Sequence, residues 1–214
     1  KILLEKYFKD GGVGTLMLFS SLLSIFALPV FYVLDPTILD VNGWNMAILF
    51  MVGVLNMLVL LCYFIALSED EASIVVVFYQ LVPVFGYILG YFILDESLTH
   101  LQIIAMAIII LGTTIISFEI DAENKFKLKK STAFYMTLAA LLWGLESTLF
   151  KAAALEENVI RSLFWEHIAL VGVGICIFVF MKSHRRHFVT VFKENSGKVI
   201  GFNFLNEALY MGGN

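Results

Sequence analysis

The sequence contains little charge. Only 15% of its 214 residues are Asp, Glu, Lys or Arg, whereas 60% are hydrophobic and the mean hydropathy is +0.88. A water-soluble domain of this length could not bury that much apolar surface. The composition therefore excludes an ordinary soluble protein and indicates a protein that lies in a lipid bilayer.

Cysteine is scarce, and the sequence patterns of familiar catalytic and metal sites are absent. Cys62 and Cys176 both lie inside apolar stretches, where a thiol behaves as a small buried hydrophobe. The sequence has no glycine-rich phosphate loop, no histidine pair at metal-ligand spacing and no G-x-S-x-G motif. Its net charge is −4, and no basic block is interleaved with aromatic residues. We therefore expect no catalytic centre, no metal or cofactor, and no nucleic-acid partner.

The sequence is rich in long apolar runs. A spanning helix needs about 20 mostly apolar residues, and seven runs are close to this length. They cover residues 14 to 34, 45 to 67, 72 to 94, 101 to 119, 132 to 152, 160 to 181, and 199 to the end. Because the bilayer core offers the backbone no water, each run must satisfy its own amides as a helix. The predicted fold class is an all-α, polytopic membrane helical bundle with the lipid bilayer as its partner.

Lysine and arginine are distributed unevenly between the two sides of the membrane that these runs would span. Twelve of the 14 lie before the first run, in the 120 to 131 linker or in the 182 to 198 loop, whereas Lys151 and Arg161 lie on the opposite side. Short cytoplasmic loops carry an excess of positive charge. The three basic segments are therefore predicted to be cytoplasmic, with the basic cluster at the start of the 182 to 198 loop binding anionic lipid headgroups.

The sequence also contains a faint internal repeat. The stretch from Lys151 into the helix near Arg161 resembles the stretch from Lys6 into the helix near Gly14. Transporters are often built from such repeats. The repeat makes the 132 to 152 run the first helix of a second unit, whose counterpart in the first unit is expected to precede this chain.

Several short motifs, taken in order, resemble one family of transporters. They are Tyr63-Phe-Ile-Ala66-Leu67, Leu81-Val-Pro83-Val84-Phe85, Leu94-Asp-Glu96-Ser-Leu98-Thr99, Gln102-Ile103-Ile104, Leu111-Gly112, and the patch Ala140-Leu-Leu-Trp143-Gly144 with Phe150-Lys151. A proline inside one helix, an acidic turn with Leu-Thr and a Gln-led helix in this order are similar to the EamA-type transporters of the drug/metabolite transporter superfamily. Ala105 stands where that pattern commonly has glycine.

The resemblance implies a domain division and a function. It implies two five-helix inverted repeats, with residues 1 to 119 as a first repeat lacking its first helix, 120 to 131 as the linker, and 132 to 214 as a truncated second repeat. It also implies a permease that moves a small-molecule metabolite by alternating access, in multi-pass form in a bacterial inner (plasma) membrane, and it is compatible with a homodimer. The family's usual cytoplasmic start would place the 182 to 198 loop outside, which disagrees with the charge distribution.

Three carboxylates inside the predicted spanning helices are candidates for function. They are Glu146, Glu166 and Glu207. Each costs about 2.5–3.5 kcal/mol at mid-membrane on insertion scales, so water, a partner or a proton must compensate it. Trp143 lies one helical turn before Glu146 and offers an aromatic surface on the same face. For Glu146, a structural hydrogen bond between helices is the alternative interpretation.

Other polar and aromatic residues extend the predicted substrate-binding set. His167 follows Glu166 but points about 100° away around the helix axis, where it could exchange a proton or simply pack. The remaining members lie on polar helical faces or just before the bend expected at Pro83. The full set is Asn56, Tyr63, Tyr79, Gln80, Trp143, Glu146, Glu166, His167, Asn206 and Glu207.

Two other classes of function stay open at this point. A membrane-embedded enzyme or lipid-modifying protein would use Glu166 and His167 as its acid and base. A non-transporting helical scaffold would use the same polar residues only to fasten helices together.

Overall fold

The structure, a computed structural model, describes residues 12 to 120, 130 to 193, 197 and 201. This part of the chain is made of helices and short connections and contains no β-strand, so the all-α prediction is confirmed. The helices are α1 (Gly12–Leu23), α2 (Leu28–Leu34), α3 (Gly43–Glu69), α4 (Ala72–Phe78), α5 (Val82–Leu94), α6 (His100–Ile120), α7 (Lys130–Glu157) and α8 (Val159–Phe180). A further helical stretch covers residues 182 to 193.

Five helical segments are long and apolar enough to cross a membrane. They are Val13–Leu34, Gly43–Glu69, Ile74–Leu94, Lys130–Glu157 and Val159–Phe180. Within α6, a shorter apolar stretch covers His100–Gly112. The first six predicted runs therefore coincide with apolar helices, which confirms a polytopic helical membrane protein. Apart from residue 201, the seventh run lies outside the described residues, as do residues 121 to 129 of the linker.

Two of the spanning segments are interrupted by a turn of 3₁₀ helix that precedes a proline. The turn Tyr79–Leu81 separates α4 from α5, and Pro83 lies in the first turn of α5. Proline has no amide hydrogen and clashes with the preceding helical turn, so it is tolerated best near a helix start. The α-helix is thus interrupted just before Pro83, where the sequence predicts a bend. Pro29 follows the turn Ser24–Phe26 in the same way.

The described residues form two compact groups. Group A consists of the described parts of residues 58 to 152, and group B consists of the described parts of residues 2 to 57 and 153 to 214. The grouping reflects contacts in space, so the predicted repeat boundaries on either side of the 120 to 131 linker stay a prediction.

In group B, α1, α2 and α3 contact α8. The approach of α1 is close because a Cβ on Gly174 would overlap the Ser21 hydroxyl. The approach of α3 is also close, since a Cβ on Gly53 would lie 2.6 Å from the Cβ of Ala169. Small residues of this kind allow the backbone contact that holds helices together in lipid.

In group A, α7 approaches α5 through another glycine. A Cβ on Gly144 would lie 2.9 Å from the amide nitrogen of Gly86 and 3.0 Å from the Cβ of Phe85. The start of α7 is joined to the end of α3 by hydroxyl donors and carboxylate acceptors. These hydrogen bonds run from Ser131 to Glu69 and from Thr132 to Asp70. Within this group, α7 therefore contacts α3 at its start and α5 at Gly144.

The segment of residues 182 to 193 is helical, so the prediction of a loop there is wrong. It packs beside α1 through aromatic rings, because Phe188 and Phe192 lie 4.4 and 6.4 Å from Phe19 between ring centroids. These two phenylalanines are four residues apart and share one helical face. Arg185, Arg186 and Lys193, which flank this pair of phenylalanines, obscured that spacing in the sequence.

The loop that follows α2 is held to the start of α8 by an ion pair within group B. The Nε atom of Arg161 lies 2.9 Å from Oδ2 of Asp35, and its guanidinium also donates to the Thr37 hydroxyl. Hydrogen bonds from Thr37, together with Arg161, hold the pKa of the Asp35 carboxyl well below its usual value. Arg161, one of the two cations predicted for the side of the membrane opposite the basic segments, is thus paired. In group A the other, Lys151, pairs with Glu96 at 2.7 Å.

Candidate functional site

Three aromatic side chains from the predicted set meet in group A. The ring of Tyr79 lies 5.4 Å from that of Tyr63 and 5.2 Å from that of Trp143 between centroids, and the contact with Trp143 is edge-on. Tyr63 comes from α3, Tyr79 from the 3₁₀ turn before Pro83, and Trp143 from α7. The turn therefore places Tyr79 between two helices, where it joins their aromatic residues into one surface.

This aromatic surface is partly accessible. Trp143 is 37% exposed, and Tyr63 and Tyr79 are half-buried. Gln80 follows Tyr79 in the same turn and is also half-buried. Edge-to-face aromatic pairs stabilise by about 0.5–1.5 kcal/mol beyond the area that they bury. The cluster can thus keep its shape while leaving ring surface for an organic ligand.

Glu146 lies on α7 one turn after Trp143 and is only 5% exposed. A carboxylate with so little exposed surface does not face the hydrocarbon of the bilayer. Thr148, two residues further on, is buried too and donates to the carbonyl of Gly144 at 2.7 Å. α7 therefore buries polar side chains within group A. A place for Glu146 on a transport path stays a prediction.

In group B, Glu166 and Asn56 are brought together from α8 and α3. The amide nitrogen Nδ2 of Asn56 lies 3.5 Å from Oε1 of Glu166, at the long end of hydrogen-bond distances. Glu166 has no exposed surface. The close approach at Gly53 and Ala169, each three residues from one of the pair, is what places the two side chains within reach. Asn56 thus supplies a polar neighbour for a buried carboxylate.

His167 follows Glu166 in the sequence and is also fully buried. It contacts a different helix. Its Nδ1 lies 2.7 Å from the carbonyl oxygen of Leu163, so this nitrogen carries the hydrogen and donates. Its ring meets Phe31 of α2 edge-on, with centroids 5.0 Å apart. Glu166 therefore faces α3 while His167 contacts α2, which agrees with the predicted angle between them. This divergence does not favour an acid–base pair acting on one substrate.

The structure distributes the predicted residues over both groups. Asn56 and Tyr63 share a predicted face of α3, yet Asn56 contacts Glu166 in group B and Tyr63 contacts Tyr79 in group A. Asn206 and Glu207 lie outside the described residues. Phe31 was not anticipated from the sequence, where one of several aromatic residues in an apolar run carries no signal of its own. Gly53 could have been noted as a small residue one turn from a polar one.

Among the described residues, no group of three or more His, Cys, Asp or Glu side chains could hold a metal ion. The polar residues are embedded instead in apolar, membrane-length helices. These features define a polytopic α-helical membrane protein with polar and aromatic constellations inside its spanning segments.

Comparison with known families agrees with this class. The model of the EamA-like transporter family matches residues 2 to 118, which is more than half of the chain. The chain belongs to the EamA-like transporter family and is an integral, multi-pass membrane protein of a transporter type. No curated protein and no solved structure gives a significant match to it.

Proposed function

We propose that the protein moves a small organic metabolite across the membrane by alternating access. The observation that carries this proposal is the complete burial of Glu166 and His167 within the spanning helix α8. Ionisable groups inside spanning helices are expensive, rare, and typical of pathways for solutes and protons. Because the chain belongs to a transporter family, the proposal assigns these buried groups to solute contact or proton movement.

The residues in group A support an organic solute rather than a simple ion. Tyr63, Tyr79 and Trp143 offer aromatic surface, and Glu146 offers a buried carboxylate one turn from Trp143. Pockets for small molecules combine apolar and aromatic walls with a few polar groups that fix orientation. The proposal therefore assigns solute contact to these four residues and to Gln80 beside them.

Three further parts of the proposal concern the setting. We expect the protein in a bacterial plasma membrane, with the basic segments before α1 and after α8 in the cytoplasm, because of the distribution of Lys and Arg. We also expect the small-molecule substrate to pass between two inverted repeats. A homodimer is compatible with this arrangement.

The test is uptake by purified protein in sealed vesicles, measured for a panel of small organic metabolites with and without a pH gradient. Wild-type protein should accumulate at least one solute. Glu146→Gln and Glu166→Gln should each lower its flux at least tenfold, or remove its pH dependence, while helicity and melting temperature are retained.

The matched control is Glu71→Gln. Glu71 is an exposed carboxylate at the start of α4, so its flux should equal that of the wild type. The proposal fails if the wild type moves none of the solutes. The assignment of the two buried carboxylates fails if both Gln variants transport normally.

A further inference from the structure

A groove between α5 and α6 in group A takes no part in the proposed solute contacts. Its volume is about 470 Å³, within the range of about 300–1,000 Å³ that is usual for small-molecule pockets. One wall is a stripe of α5 that contains Gly86 and Gly90, and the other is a stripe of α6 that contains Ala105 and Met106. Most of the lining surface is apolar, and the lining also includes the polar residues Glu96 and Gln102.

Missing side chains create the depth of this groove. Among the described residues, a Cβ on Gly86 would meet nothing within 4 Å, and one on Gly90 would meet only Oε2 of Glu96 at 3.8 Å. The helices beside the groove carry strongly exposed apolar side chains, with Phe92 75% exposed and Leu101 77% exposed. In a spanning helix such a surface lies against hydrocarbon, so the groove is suited to an acyl chain.

One end of the groove is polar, and the α5–α6 turn builds that end. Asp95 ends α5 in the left-handed conformation, with φ of 52°, and the next amide, of Glu96, donates to the carbonyl of Gly90 at 3.3 Å. This turn folds Glu96 back so that its carboxylate lines the groove beside Gly90. Lys151 of α7 then reaches the same carboxylate at 2.7 Å.

The Glu96–Lys151 pair is open to further partners. The two side chains are 46% and 52% exposed, and an ion pair this exposed contributes only about 0–1 kcal/mol. A carboxylate and an ammonium therefore stand side by side at the mouth of an apolar groove. A ligand that matches this arrangement carries an ammonium, a negatively charged group and a long apolar chain.

We propose that the groove binds a zwitterionic phospholipid. Its acyl chain lies along the glycine stripe of α5, its headgroup ammonium contacts Glu96, and its phosphate contacts Lys151. A headgroup with only negative charge would meet repulsion from Glu96, so an anionic lipid is the poorer ligand. The site is independent of the proposed solute path and can be tested without a transport substrate.

The first experiment fills the groove. The purified, delipidated full chain is titrated in detergent with phosphatidylethanolamine, and bound lipid is counted by native mass spectrometry. Gly86→Leu and Gly90→Leu should each weaken binding at least tenfold. Gly112→Leu, on α6 where a Cβ also meets none of the described residues within 4 Å, is outside the groove lining and should bind lipid as the wild type does.

The second experiment tests the headgroup. Wild-type protein should bind phosphatidylethanolamine at least fivefold more tightly than phosphatidylglycerol, and Glu96→Gln should remove this preference, whereas Lys151→Gln should weaken both lipids. Melting curves of each variant establish that it is folded. Normal lipid binding by Gly90→Leu, or a wild-type preference for the anionic lipid, would overturn the proposal. So would a lipid-free dimer that Gly90→Leu dissociates, since the groove would then receive a second copy of the chain.

Discussion

Gly53 sets the distance between α3 and α8 in group B, and this makes its replacement informative. A Cβ at this position would lie 2.6 Å from the Cβ of Ala169, whereas ordinary contact begins at 3.4 Å. In Gly53→Ala the helices must therefore move apart by about 0.8 Å, because packed interiors leave little room. The hydrogen bond from Asn56 to Glu166 is already 3.5 Å long. It should not survive that separation.

The expected change in stability combines two opposing effects. Overpacking costs about 1–3 kcal/mol, while replacing glycine with alanine inside a helix gains about 1 kcal/mol. Gly53→Ala should therefore lie between no change and a loss of about 2 kcal/mol. Gly172→Ala, in the same group, is the matched control, since a Cβ there meets none of the described residues within 4 Å. The two variants share the helix-propensity gain, so their difference of about 1–3 kcal/mol isolates the overlap.

The measurement is the free energy of unfolding of the purified protein in mixed detergent micelles with rising dodecyl sulfate. A double-mutant cycle then tests the lost hydrogen bond. Asn56→Leu should destabilise the wild type by about 0.6 kcal/mol, the average for hydrogen bonds between helices in membranes, and should have almost no effect in Gly53→Ala. Equal stabilities of Gly53→Ala and Gly172→Ala would refute the close contact on which this reasoning depends.

Two further predictions concern an ion pair and the aromatic cluster. Since Asp35 has a folded-state pKa below its unfolded value of about 3.9, its pair with Arg161 stabilises the fold above that pH and is lost as the pH falls below it. Wild-type stability should thus fall more steeply between about pH 4 and pH 2 than that of Asp35→Asn. Equal slopes would show that the ion pair does not contribute to stability. Trp143→Ala removes the ring that meets Tyr79, so KM for an organic solute should rise by up to about tenfold. Trp143→Phe should keep most of the affinity, and an unchanged KM in Trp143→Ala would place this residue outside the solute path.

The sequence was sufficient to predict the helices and to identify carboxylates inside them that must be compensated. Apolar runs of spanning length have one low-energy conformation in hydrocarbon, and a carboxylate inside such a run must avoid lipid wherever its partner lies. Glu146 and Glu166 are buried for this reason. The break at Pro83 was predictable on equally local grounds, since proline removes a backbone donor.

The partners of these groups could not be predicted, because they depend on contacts far apart in the chain. Asn56 and Glu166 are 110 residues apart, and only the contact of α3 with α8 brings them together. Tyr63 lies two turns from Asn56, about 10 Å along the helix, and so it contacts a different neighbour. The helix over residues 182 to 193 was missed because basic residues lowered the apparent apolar content of a segment that packs through phenylalanines.

The position of the polar contact in group B follows from the small residues around it. Gly53 precedes Asn56 by three residues on α3, and Ala169 follows Glu166 by three residues on α8, so each small residue shares a helical face with a polar one. In hydrocarbon, apolar side chains gain little by exchanging lipid for protein, so helices associate through close packing and hydrogen bonds. The small pair supplies the first and the polar pair supplies the second. The same arrangement surrounds Glu166 with protein, which explains how α8 carries a group that costs about 2.5–3.5 kcal/mol in the bilayer centre.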